Sequence, residues 1–291
     1  MKKTALFLTL LSIAVPVYAA GIGFGGFGFG DDEGSSVDLG AVVDVFKQSK
    51  QVLTDIDPKA ERKLGQDAAA LIVSATPVIE NKRLNVYINK VGRWVAQQSE
   101  RPDLEWRFAV LDTIAINAYA TPGGYVFITA GLLLRLKSEA ELATVLAHEI
   151  VHVVQGHHVR AMKKTAAVGL AGTIAGAATG NEALAEISTD GIKELYSRGL
   201  GRDDELESDS MGVVLAARAG YDPYAFMSVL LLLDSMNKED GALLQFLATH
   251  PSPADRLQNL EFVMKGRFDQ YDNLLQGDKR FVKSITEAFE G

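Results

Sequence analysis

Residues 138–158 read SEAELATVLAHEIVHVVQGHH. Four of the chain's five histidines, His148, His152, His157 and His158, fall within this stretch, and the fifth is His250. Ser138 and Glu141 make an S-x-x-E pair, in which a hydroxyl and a carboxylate satisfy free N–H groups at the mouth of a helix. The apolar run that follows puts the histidines on a long helix starting about ten residues before His148.

His148-Glu149-x-x-His152 matches the H-E-x-x-H pattern. Four helical residues advance about 6 Å and turn about 400°. Both imidazoles therefore sit on one face, one turn apart, where their nitrogens can grip a tetrahedral zinc ion. Glu149 lies about 100° round from His148. There it can take a proton from a zinc-activated water. A surface helix bearing the pattern by chance would not set it inside LATVLAHEIVHVV, because a buried His or Glu needs a partner.

A catalytic zinc takes three protein ligands. His158 completes the spacing of H-E-x-x-H-x-x-G-x-x-H, but Gln155 stands where that pattern needs glycine, and Gly156 comes one place late. On a continuing helix His157 would lie about 180° and His158 about 280° from His148, so neither would share the ion. The other candidates are acids. None occurs between Glu149 and Glu182, and Glu182 and Glu186 are isolated. The stretch RDDELESDSMG, residues 202–212, offers Glu205 and Asp209 four apart on a helix. One could bind zinc while the other holds a ligand histidine's free N–H. The same acids also read as a solvated face, and charge alone leaves both readings open.

Outward from this helix the chain is mostly helical. Residues 38–53, 57–73 and 81–99 carry apolar residues at helical spacing. Asp57-Pro58 caps the second of these, and Leu84, Val86, Tyr87, Ile88, Val91 and Trp94 are core candidates in the third. EWRFAVLD (105–112) alternates like a strand, and a hairpin follows around Pro122-Gly123-Gly124. After residue 181 the pattern is helical again, with a gap around Gly199–Gly201. The predicted fold is α+β and mainly helical, a zincin-type domain over residues 38–270 whose small β-sheet borders the active-site helix. A C-terminal tail helix occupies 271–291.

The N-terminal twenty residues pair a basic start with an apolar run, Pro16 and small residues. They predict a secretory signal peptide cut after Ala19 or Ala20, and the alternative is an uncleaved anchor. Residues 21–37 read as a Gly-rich linker. With no cysteine, the chain can be neither a lipoprotein nor disulfide-bonded. Net charge is −8, with no basic block, so nucleic acid is not a predicted partner. TAAVGLAGTIAGAATG (165–180) is too short for a confident span. It suits close helix packing or peripheral membrane contact.

Four segments together carry a family resemblance: RFAVLDTIAINAYATPGGYVFITAGLL, LAHEIVHVVQGHH, SRGLGRDDELESDSMG and THPSPADRL. In this order they resemble the HtpX-like, CAAX-prenyl-protease-related zinc metallopeptidases (gluzincins), in their soluble exported branch. The resemblance implies that Glu205 is the third ligand to a single zinc ion, with Asp209 supporting it. It implies that Tyr125, Val126, Phe127 and Ile128 form a strand bordering the cleft and pairing with extended substrate. His250 becomes a gate on zinc or, with Asn117, an oxyanion stabiliser, set against a plain turn histidine fixed by Pro251 and Pro253. His157 reads as structural, and the arginine that usually precedes the acidic motif falls to Arg198 or Arg202. The implied protein is a periplasmic zinc endopeptidase with Glu149 as general base. Its substrates would be unfolded or misfolded polypeptides, outer-membrane proteins among them. The rival readings are a chaperone or assembly factor with a structural zinc, and a latent protease shut by His250.

Overall fold

The computed structural model describes residues 56–171, 189–271 and 274–289. The expected signal peptide, Gly-rich linker and helix at 38–53, and most of the 165–180 stretch, lie outside them. The described part is mainly helical with one small sheet, as predicted.

Helix α1 (Pro58–Ala75) opens on Asp57, whose carboxylate accepts the Ala60 amide hydrogen at 3.3 Å. Helix α2 (Lys82–Ala96) is capped by Asn81 and buries Leu84, Ile88, Val91 and Val95. Two of the expected core residues do not belong there: Val86 is 46% and Trp94 50% exposed. They sit eight residues apart on the opposite face, since two helical steps from Leu84 turn about 200°. Trp94 instead donates its indole N–H to the Ala219 carbonyl at 2.7 Å.

Strands β1 (Arg107–Leu111), β2 (Ala118–Thr121) and β3 (Tyr125–Thr129) form a sheet in the order β1-β3-β2. β3 is the middle strand, parallel to β1 and antiparallel to β2. This corrects the expectation for Tyr125–Ile128. Both edges of that strand are already paired, so it has none to offer a substrate. The free edge belongs to β2. The Thr129 amide donates to the Asn117 carbonyl at 3.0 Å. By antiparallel alternation, Ala118 and Ala120 then turn their main-chain groups away from β3.

After the short α3 (Ala130–Leu133) comes α4 (Glu139–Val154), every residue of which is buried. Ser138 Oγ accepts the Glu141 amide hydrogen at 3.0 Å. The Glu141 carboxylate, however, takes the Lys137 amide at 2.5 Å, closing the cap one residue early. A helix buried all round must pair its polar groups. Glu139 does so with the Tyr87 and Tyr221 hydroxyls (2.8 and 2.7 Å) and with Arg280.

Helix α4 stops at Gln155, and Gly156 takes the left-handed conformation (φ +66°), a glycine-favoured helix end. Helix α5 (His157–Ala171) then restarts the chain. The continuing helix assumed for His157 and His158 does not exist. Helices α6 (Thr189–Arg198) and α7 (Arg202–Arg218) follow, separated at Gly199–Gly201. Helices α8 (Ala225–Ser235), α9 (Gly241–Thr249) and α10 (Pro253–Met264) come next. Helix α11 (Asp278–Phe289) buries Phe281, Ile285 and Ala288 in the same core as α4. Helix α7 packs closely along α4, and a Cβ at Gly212 would lie 3.2 Å from the His148 amide nitrogen. The missing side chain lets the acidic helix approach the histidine helix. No helix among the described residues is long and apolar enough to cross a membrane.

Candidate metal centre

His148 and His152 project from one face of α4 with their Nε2 atoms 3.0 Å apart. Glu205, in the first turn of α7, closes the triangle: its carboxylate oxygens lie 3.6 Å from His148 Nε2 and 3.4 Å from His152 Nε2. Donors about 2.0–2.2 Å from a tetrahedral zinc lie about 3.3–3.6 Å from one another; both Glu205 separations match this, and the two imidazole nitrogens stand slightly closer, at 3.0 Å. Asp209 Oδ1 sits 2.9 Å from His148 Nδ1. It fixes the hydrogen there and leaves the Nε2 lone pair facing inward. Lone pairs turned on one another in a buried space call for a cation among them.

The electrostatics agree. Burial and the Arg256 charge oppose a proton on His148, but the Asp209 and Glu205 carboxylates prevail and hold its pKa at about 9. Burial pushes His152 well below the usual histidine range despite the pull of Glu205. Burial also works against ionisation of Glu205, yet His250, His148 and His152 keep its carboxyl well below the usual range. The cluster favours a positive charge at its centre.

Asp209 is held in turn by Arg256, whose Nε and Nη2 donate to it at 2.9 and 2.5 Å. Arg256 is 2% exposed and stacks over Phe226 and Phe246. Ser252 and Pro253 start α10 so that Arg256 falls in its first turn. Of the two arginines before the acidic motif, Arg198 pairs with Glu194 at the surface and Arg202 is exposed. Arg256 lay in the THPSPADRL segment, but its burial depends on Asp209, 47 residues away, and no local pattern signals that.

Glu149 is 3% exposed and lies where two clefts meet. Burial raises its pKa, and His148 and His250 partly offset this. A base brought toward neutrality suits proton transfer. One cleft runs along the free edge of β2, between Ala118–Ala120 and Tyr196 of α6. The Tyr196 hydroxyl donates to the Ala120 carbonyl at 2.9 Å, and its ring stacks on His158. The other cleft is apolar, with Leu132, Val145, Phe226, Val229 and Phe246 in its wall.

His250, at the end of α9, lines both clefts. Its Nδ1 is 2.7 Å from Glu205 Oε2 and its Nε2 3.2 Å from Asn117 Oδ1. Asn117 is fully buried and gives its amide N–H to Thr249 Oγ1 at 3.3 Å. One of its two amide hydrogens is thereby used, and its Oδ1 lies against His250, so Asn117 helps orient that ring. At 2.7 Å from a carboxylate oxygen, His250 Nδ1 is placed to donate to Glu205, beside the same centre. His157 lies behind His152, with their Nδ1 atoms 2.7 Å apart, on the side away from Glu205.

Two relatives share most of this region. The chain is 29% identical over 220 residues to the mitochondrial metalloendopeptidase OMA1 of Schizosaccharomyces pombe, a match covering 73% of this chain and 64% of that protein. It is 28% identical over 241 residues to the beta-barrel assembly-enhancing protease of Escherichia coli K12, covering 77% of this chain and 49% of that one. The match thus spans less than two thirds of either relative. Residues 82–263 match peptidase family M48. That stretch runs from α2 to α10 and contains His148, Glu149, His152, Glu205, Asp209, His250 and Arg256, and the chain belongs to peptidase family M48.

Proposed function

We propose that this chain is a zinc-dependent endopeptidase of the cell envelope, acting on unfolded or misfolded polypeptides. The observation that carries the reading is the convergence of His148, His152 and Glu205 beside the buried carboxylate of Glu149. The three would hold one zinc ion. When bound, zinc supplies a Lewis acid that lowers the pKa of water toward about 7. Glu149 takes the proton from the attacking water and passes it to the leaving amine. Asp209 and Arg256 keep His148 oriented.

An extended substrate adds to the free edge of β2, pairing through the main chain of Ala118 and Ala120. The apolar cleft beside Glu149 receives an apolar side chain next to the scissile bond. The periplasm is the proposed compartment, on the strength of the N-terminal signal. The E. coli relative's name, which speaks of β-barrel assembly, supports outer-membrane proteins as one class of client.

Glu149→Gln tests the reading. The variant is expected to keep zinc, lose casein cleavage by about 100-fold or more, and trap substrates in the periplasm. Full cleavage by the variant would sink the assignment. If it instead complements a deletion strain, the protein works as a chaperone or assembly factor with a structural zinc.

The position of His250 favours a second reading, a latent enzyme. A His250 Nδ1 that gives up its hydrogen beside Glu205 can turn to the metal and take the position that water needs. His250→Ala is then expected to raise casein cleavage several-fold. Reduced cleavage would make His250 a participant in the reaction or a support for it.

A further inference from the structure

We propose that His157 is a positioning residue for the metal centre. Its Nδ1 accepts the Nδ1 hydrogen of His152, and its own Nε2–H is held by Glu207. The proposal rests on the reading of His148, His152 and Glu205 as zinc ligands.

The two ligand histidines are backed differently. His148 leans on a carboxylate, Asp209, at 2.9 Å. Among the described residues no carboxylate reaches Nδ1 of His152. Its neighbours there are His157 Nδ1 at 2.7 Å and Ser208 Oγ at 3.2 Å. A histidine that gives Nε2 to a metal carries its hydrogen on Nδ1. The closest acceptor for that hydrogen is His157 Nδ1, and His157 must then carry its own hydrogen on Nε2. That nitrogen faces Glu207 Oε2 at 3.3 Å, with Asp204 Oδ1 at 3.9 Å. The hydrogens thus run one way, from metal ligand through a second imidazole to a carboxylate near the surface. His157 is fully buried and Ser208 touches both rings, so the pair is held in register.

The break at Gly156 makes this arrangement possible. On an unbroken helix five residues turn about 500°, carrying His157 about 140° away from His152. The left-handed glycine folds it back beneath.

His157, Asp204 and Glu207 could also be taken for a second cation site, since their ligand atoms lie within 4.8 Å of one another. Hydrogen placement argues against it. A cation on His157 Nε2 would move that ring's hydrogen to Nδ1, where it would meet the Nδ1–H of His152 across 2.7 Å. Arg160 moreover already pairs with Asp204 at 2.6 Å.

The test compares zinc affinity, by chelator competition, in the full chain and in His157→Asn, His157→Leu and His148→Ala. Unfolding of the metal-free proteins is followed in parallel. Asparagine puts a carbonyl oxygen where Nδ1 was, and leucine puts nothing polar there. We expect His157→Leu to weaken zinc about 10- to 100-fold and His157→Asn to stay within about threefold of wild type. Nitrogen-15 spectra of the zinc-loaded wild type should show the His157 hydrogen on Nε2, a readout that needs no variant. Equal loss in both His157 variants, a hydrogen on His157 Nδ1, or a second zinc lost with His157 would each overturn the proposal. If His148→Ala abolishes zinc binding while His157→Leu leaves it unchanged, the ligand reading stands and this one falls. A wild type that binds no zinc sinks both.

Discussion

Arg256 shows how a single buried charge can organise a site from behind. It is 2% exposed, forked onto Asp209 and stacked over two phenylalanines. Removing one member of such a pair leaves the other charged and alone in a poor solvent. Arg256→Met should therefore cost about 3–5 kcal/mol, read from denaturant unfolding. Asp209→Leu on the same background should recover part of the loss, because no orphan charge then remains. In the sequence His148, Glu149 and His152 stood out because their chemistry is local to one helical turn. Glu205 and Asp209 could not be told from a solvated acidic face until family resemblance was added. Arg256 gave no sign at all, because one arginine in a polar helical stretch usually faces water.

At the scale of elements, the approach of α7 to α4 sets the spacing of the donors. Gly212 stands against the backbone of His148, with room for a Cβ only at 3.2 Å. A branched side chain there should push the helices apart. Gly212→Val is expected to lose about 1–3 kcal/mol of stability and to bind zinc more weakly in a metal titration. A variant with unchanged zinc affinity would show that the donor spacing does not depend on this contact. Helical periodicity revealed which segments are helices, but the core expected for α2 included the exposed Val86 and Trp94 and left out the buried Val95. The outcome for the sheet has a different cause. Three strands were legible, but which one lies in the middle depends on how β1 returns beside β3. Alternation cannot report that, and the resemblance alone placed substrate on Tyr125–Ile128, whose two sides are paired. The end of α4 at Gly156 was visible as a glycine one place off a known motif, yet its effect on His157 was a matter of φ rather than of spacing.

For the molecule as a whole, the metal centre hangs on a core that draws on the C-terminal end of the described chain. Helix α11 adds Phe281, Ile285 and Ala288 to the core around α4, and Arg280 reaches Glu139 at the start of that helix. Phe281→Ala should therefore cost about 3–5 kcal/mol in thermal or denaturant unfolding. A loss under about 1 kcal/mol would mark α11 as an appendage. The free edge of β2 has a further consequence. An exposed strand edge would pair with any extended chain, including the edge of a sister molecule, but Ala120 is fully buried. Tyr196, bonded to the Ala120 carbonyl, covers that main-chain group as a guard that an incoming strand must displace. What can displace that guard is selected by being stretched out, because a main-chain ladder reads extension and is nearly blind to the letters of the sequence.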